Sequence, residues 1–92
     1  MKSLASQIIS IKTAKQADDF LDSLFTEDER AEFERRISIV TMLLQGASHR
    51  EIAQKLGVGI ATVSRGANEL KRGKFAFLRK SLASSSSQIW WG

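Results

Sequence analysis

The stretch that decides the fold runs Ser48-His49-Arg50-Glu51-Ile52-Ala53-Gln54-Lys55-Leu56, then Gly57-Val58-Gly59, then Ile60-Ala61-Thr62-Val63-Ser64-Arg65-Gly66-Ala67-Asn68-Glu69-Leu70-Lys71-Arg72. Ser48-His49-Arg50-Glu51 has the form of a capping box, in which the serine hydroxyl accepts an early helix N–H and the glutamate reaches back to the cap amide. It predicts a short helix ending at Leu56. Gly57 stands where the chain must turn through positive φ, which glycine does without steric cost. Val58-Gly59 then leads into a second helix from about Ile60 to Lys71. Ile52, Leu56, Val58, Val63, Ala67 and Leu70 form one apolar wedge between the two helices, and small Ala53 lets them approach closely. An ordinary αα-hairpin needs only a glycine in its turn. The joint placement of Ala53, Gly57, Val58 and Val63 is the pattern of a helix-turn-helix.

The rest of the chain reads as helical too. It has no proline, and four of its six glycines fall between Gly57 and Gly73, so helix breaks are localised. About Leu4 to Lys12 and about Ala14 to Phe25 carry partial apolar stripes of helical period. Thr26-Glu27-Asp28-Glu29 is another capping box and opens a third helix. Its stripe runs Phe33, Ile37, Val40, Leu44, yet Ile39, Met42 and Leu43 are apolar as well, so more than one face calls for burial. A chain this short has little else to cover them, and a homodimer is the expected solution. Gly46 suits a left-handed helix cap. The expectation is therefore an all-α fold of short helices with one helical domain over residues 1–83, the helix-turn-helix at about 48–71, and a Ser-rich, partly disordered tail over residues 84–92. Trp90 and Trp91 in that tail are aromatics that can pack back on the dimer.

Composition narrows the function. Residues 1–46 hold six basic and eight acidic side chains, and residues 47–92 hold eight basic and two acidic, so the basic half is the half with the helix-turn-helix. That asymmetry favours a polyanionic partner. The absence of cysteine and the single histidine argue against a disulfide framework or a metal constellation. No apolar run approaches the roughly 20 residues of a membrane span, and no signal-peptide pattern opens the chain, so a cytoplasmic location with no membrane partner is expected. One histidine, no cysteine and no glycine-rich phosphate loop leave only carboxylates already explained by capping, so no catalytic residue is assigned and an enzyme is not expected.

In a helix-turn-helix the start of the second helix enters the major groove while the first crosses the backbone. Gly59, Ile60, Ala61, Thr62 and Ser64 are then the candidate base-facing residues. Few of them form bidentate pairs with base edges, so recognition relies on methyl contacts, water and DNA shape. Arg50, Lys55, Lys71, Arg72 and Lys74 flank this surface as candidate phosphate contacts.

The run from Leu56 to Lys71, with its Gly-Ile-Ala-Thr and Arg-Gly-x-Asn strings, resembles the reading segment of the bacterial tryptophan (Trp) repressor family. Thr26-Glu27-Asp28-Glu29-Arg30 resembles that family's Thr-Pro-Asp-Glu-Arg. Arg36, Ile39-Val40 and Leu43-Leu44-Gln45-Gly46 resemble its third helix, and in all the likeness covers about residues 20–80. The resemblance implies an intertwined, all-helical homodimer that binds a palindromic double-stranded operator when a small-molecule effector, L-tryptophan, occupies a pocket in each subunit; no other cofactor is implied. It places the indole between Arg36 and Arg65 and the ligand carboxylate near Thr26. Guanidinium groups stack on aromatic faces and hold carboxylates, which suits both arginines to an aromatic amino acid. Glu69 stands where the family has a serine that helps hold the ligand amino group; it can either pair with Arg65 or accept a bond from the ligand ammonium. Ser23 replaces a pocket leucine, and Ala53 a DNA-contacting lysine. The alternative is a helix-turn-helix module, DNA-binding or partner-binding, that does not respond to tryptophan.

Overall fold

The computed structural model describes the backbone over residues 3–89 and side chains over residues 3–83. Six helices and no strand occur among the described residues: α1 (Leu4–Ile9), α2 (Ala14–Leu24), α3 (Glu27–Leu44), α4 (His49–Leu56), α5 (Ile60–Lys71) and α6 (Ala76–Ile89). Their limits follow from local hydrogen bonding. Ser3 and Thr13 cap α1 and α2 by accepting from the amides of Ser6 and Gln16. α1 stops at Ile9, short of Lys12, because the Lys12 amide donates to the Gln16 side chain at 2.8 Å and so turns toward α2. Both expected capping boxes are formed. The Thr26 amide donates to Glu29 Oε1 at 2.9 Å while its hydroxyl accepts from the Glu29 amide at 3.1 Å, and Ser48 and Glu51 repeat the exchange. After α3, Gly46 has φ +91°, and the Ala47 and Gly46 amides reach back to the Met42 and Leu43 carbonyls, a Schellman closure. α6 continues through Ser84–Ser87 to Ile89, farther than a tail beginning at residue 84, since no proline or glycine interrupts that run. The Trp90–Trp91 pair lies outside the described residues.

The chain divides into two compact units, Met1–Phe33 and Glu34–Gly92. The first unit has no fully buried side chain on α1 or α2. It is organised by polar and aromatic contacts instead. Arg30 bridges Asp18 and Asp22, one helical turn apart on α2, and the Phe25 and Phe33 rings meet in a tilted pair with centroids 4.8 Å apart. Leu4, Ile8, Ile9 and Leu24 remain about half exposed or more in the single chain.

The second unit holds the core. Ile52 and Val63 are fully buried, and Ile39 and Ala53 nearly so, with Met42, Leu43, Ala47, Leu56 and Val58 packed around them. The wedge inferred between the two motif helices is therefore formed, with Leu70 also buried. Covering Ile52 and Val63 contributes roughly 1.5–3 kcal/mol each. The stripe on α3 is corrected, however. Ile39 and Val40 are the buried pair, whereas Phe33 is 36% and Ile37 49% exposed. The α3 face carrying Ile39 and Leu43 meets α5 at Gly66, and that contact, rather than the i, i+4 stripe, selects what is buried.

Gly66 is small for a reason. A Cβ at this position would stand 3.0 Å from Ile39 Cγ2 and 3.7 Å from Leu43 Cδ1. Ile39 is β-branched and buried, so it has little freedom to give way. Gly66→Val is expected to lower stability by about 2 kcal/mol in urea unfolding despite valine's better helix propensity; an unchanged midpoint would show that α3 and α5 are not packed this way.

The Ser48 box also has a pH signature. Hydrogen bonds from the Ser48 backbone amide and hydroxyl region hold the Glu51 carboxyl below its ordinary value. A carboxylate with a depressed folded-state pKa stabilises the fold above its unfolded pKa, and the stabilisation is lost as pH falls through the folded value. The stability difference between wild type and Glu51→Gln, measured by thermal unfolding, is expected to be present at neutral pH and to shrink as the pH drops below the carboxylate range.

Candidate functional site

α4 and α5 are joined by a three-residue turn whose geometry is set by Gly57. Its φ of +66° and ψ of +36° place it in the left-handed region, and the Val58 amide donates to the Ala53 carbonyl at 3.1 Å. Nothing lies within 4 Å of a Cβ built there, so backbone conformation alone asks for glycine. Val58 closes over the core and Gly59 begins α5.

Gly59 is a different case. Its φ of −74° is ordinary for any residue, no side-chain cap bond is made, and a Cβ would meet nothing within 4 Å. Serine, threonine or aspartate would serve an N-cap at least as well. Neither backbone conformation nor internal packing therefore accounts for glycine at this point.

Ile60 and Ala61 are exposed, with Ile60 at 50%, while Thr62 and Ser64 are half-buried. The five candidate base-facing residues thus lie on the first turn and a half of one helix. Ser64 is anchored: its Oγ lies 3.3 Å from Nδ1 of His49, the first residue of α4. Sequence reasoning missed this partner, because a histidine inside a capping box gives no sign of which helix it will face. Arg50 and Lys55 on α4 and Lys71, Arg72 and Lys74 at the end of α5 are all exposed, and no acidic side chain except Glu51 and Glu69 lies in this half of the chain.

The end of α5 has its own architecture. The Lys74 amide donates to the Glu69 carbonyl and the Gly73 amide to the Leu70 carbonyl, with Gly73 at φ +88°, a second Schellman closure. Arg79 Nη2 donates to the Leu70 carbonyl at 3.3 Å and ties the start of α6 to this corner. Glu69 is engaged by Arg72, whose Nη1 donates to Glu69 Oε1 at 3.2 Å, rather than by Arg65 one turn earlier. The pair is solvent-exposed on the arginine side and worth at most about 1 kcal/mol.

Of the four candidate effector residues, Thr26 belongs to the first unit, where its hydroxyl serves the α3 capping box. Arg36, Arg65 and Glu69 belong to the second. Arg36 lies one helical turn before Ile39, and Arg65 directly precedes Gly66, so the two arginines flank the Ile39–Gly66 contact along their helices. Among the described residues there is no cluster of His, Cys, Asp or Glu suited to a metal, and no helix long and apolar enough to cross a membrane.

Comparison with known proteins agrees with this architecture. A family model described as Trp repressor protein matches residues 1–82. A Trp operon repressor homolog of Vibrio vulnificus (strain YJ016) is 55% identical over 58 residues, covering 62% of this chain and 57% of that protein. Its counterpart in Vibrio cholerae is 53% identical over 58 residues, 62% of this chain and 56% of the relative, and that of Aliivibrio fischeri (strain MJ11) 54% over 52 residues, 55% and 48%. The matched stretch spans about half of these relatives' length. No solved structure matches the chain. A family model that covers nearly the whole helical chain, together with relatives identical at about half of the aligned positions, shows that this chain belongs to the Trp repressor family.

Proposed function

We propose that this chain is a transcriptional repressor that binds a palindromic DNA operator as a homodimer when L-tryptophan or a similar aromatic amino acid is bound. The observation that carries the reading is the α4–Gly57–α5 geometry, in which α5 starts at Gly59 without a side-chain cap bond, Ile60 and Ala61 are exposed, and Arg50, Lys55, Lys71 and Arg72 of the same helix pair are exposed as well. Such a helix start fits the major groove, with Gly59, Ile60, Ala61, Thr62 and Ser64 toward the bases and Arg50, Lys71 and Arg72 toward phosphates. Family membership supports the same reading, as does the name Trp operon repressor homolog carried by its relatives.

The dimer rests on unsatisfied apolar surface. Ile37 on α3, Ile8 and Ile9 on α1, and Phe77 on α6 are all substantially exposed in one chain, Phe77 by 83%. Scattered exposed apolar residues are normal, but here they recur on most of the helices, as surface meant for a second copy does. Two copies related by a dyad set their α5 helices one DNA turn apart, about 34–36 Å, and the operator mirrors the dyad. Effector control then acts on that spacing. The ligand's indole stacks between Arg36 and Arg65, with Glu69 as a polar partner for its ammonium group, and so favours the arrangement that fits DNA. A tenfold gain in operator affinity requires about 1.4 kcal/mol of differential ligand binding. This is regulation without catalysis.

A second reading is a helix-turn-helix DNA binder indifferent to tryptophan, favoured by the Glu69 carboxylate, which is engaged by Arg72 where the family has a neutral serine. Calorimetric titration with L-tryptophan separates them. One ligand per subunit, lost in Arg36→Ala, is the expected result; no saturable heat at millimolar ligand, with salt-dependent DNA binding intact, would leave the second reading. Gly59 offers a further test. Gly59→Ser is expected to leave stability unchanged or raise it by a few tenths of a kcal/mol while weakening DNA binding at least about tenfold. Unimpaired binding would remove the start of α5 from the interface.

A further inference from the structure

The contact between His49 Nδ1 and Ser64 Oγ joins the helix that crosses the DNA backbone to the helix that reads the groove. Both ends are consequential. His49 is the chain's only histidine, and histidine is the side chain whose ordinary titration falls between pH 5 and 8. Ser64 carries one hydroxyl hydrogen and two acceptor sites, so whichever role it plays toward His49 determines the role left for a second partner.

A neutral ring with its proton on Nε2 accepts from the Ser64 hydroxyl at Nδ1. The serine oxygen then offers only lone pairs outward, which suits a base amino group such as cytosine N4 or adenine N6 and repels a phosphate. A protonated ring has no acceptor. Nδ1–H then donates to Ser64 Oγ, the hydroxyl hydrogen turns outward, and it suits a phosphate oxygen, guanine O6 or N7, or thymine O4. The ring itself now carries a positive charge at the DNA surface.

The groups around this contact come from α4, α5 and α3. On α4 the positions one turn from His49 are Ile52 and Ala53, and on α5 those one turn from Ser64 are Ile60, Ala61, Ala67 and Asn68. The charged side chains on the two helices are Arg50, Glu51 and Lys55 on α4 and Arg65, Glu69 and Lys71 on α5; α3, which meets α5 at Gly66, adds Glu34, Arg35 and Arg36. Glu51 is bound back to Ser48 with its carboxyl held below the ordinary range, so it stays ionised wherever histidine titrates, and Glu69 is bound to Arg72.

We propose that the neutral His49 ring carries its proton on Nε2 and that His49 is a positioning residue of the DNA interface: protonation of its ring turns Ser64 from acceptor to donor and adds a positive charge, so that DNA affinity rises and the base preference opposite Ser64 changes as the pH falls below neutral. The proposal rests on the DNA-binding reading given above. Its sign follows from linkage, since a complex that takes up a proton on forming is strengthened by acid.

The test uses the full chain and a fluorescent duplex selected from a random-sequence pool near neutral pH, with affinity read by anisotropy from about pH 8 to about pH 5.5. Wild-type affinity is expected to rise at least about threefold over that range, and by no more than about tenfold per pH unit because one proton is involved. The slope of log affinity against log salt steepens by about 0.9 as one more phosphate is neutralised. His49→Gln, which hydrogen-bonds without titrating, gives a flat profile at whatever affinity it has. Ser64→Ala keeps the change in salt slope but loses the pH-dependent change in base preference. A flat wild-type profile, or a His49→Gln profile as steep as wild type, overturns the proposal while leaving DNA binding in place. Absence of salt-dependent DNA binding at every pH overturns the repressor reading and this proposal with it.

Discussion

Ile52 and Val63 sit against each other's helices with no solvent exposure, and the left-handed Gly57 between them lets the chain reverse tightly enough for both to be covered. Almost everything else in the second unit hangs on that closure. With α4 and α5 locked, Val58 covers the turn, Ala53 allows the close crossing, and Ile39 of α3 completes the cluster over Gly66. The surface that results is as important as the core. Holding α4 and α5 rigidly leaves the start of α5 projecting, with Ser64 tied to His49 and the basic side chains spread around it. Interaction residues placed on elements fixed by a packed core keep their geometry better than residues on a free loop.

The two units are built by different physics. In the second, apolar burial does the organising. In the first, α1 and α2 bury no side chain fully, and order comes from caps, the Arg30 bridge to Asp18 and Asp22, and the Phe25–Phe33 ring pair. Exposed ion pairs each contribute little, so such a unit gains most from covering its apolar surface with another surface. The homodimer proposed above would meet that need and would account for a helix like α3 carrying apolar residues on more than one face. Within the chain Ile39 and Val40 are buried, Met42 and Leu43 pack on the core and Phe33 meets Phe25, while Ile37 is half exposed.

Much of this was legible in the residues themselves. Capping boxes at Thr26 and Ser48, glycine stops at Gly46 and Gly57, and the Ile52–Val63 wedge depend on interactions within a few positions or between adjacent helices, and they lie where the sequence puts them. Backbone donors and acceptors near helix ends must be satisfied locally, so the residue types that satisfy them announce the boundary. The α3 stripe was misjudged at Phe33 and Ile37 because periodicity says that a helix has an apolar face and not which of two apolar faces meets the neighbour.

What the sequence determined by itself, then, is the succession of helices, the helix-turn-helix and the basic character of its surroundings, because these follow from short-range hydrogen bonding, periodicity and charge. Tertiary structure alone decided three things: that Gly66 is small to admit Ile39, that Glu69 bonds to Arg72 and not Arg65, and that the single histidine meets Ser64. Each depends on the distance and rotation of one helix or side chain relative to another. Those are settled by how the core packs, and no local pattern of residues encodes them.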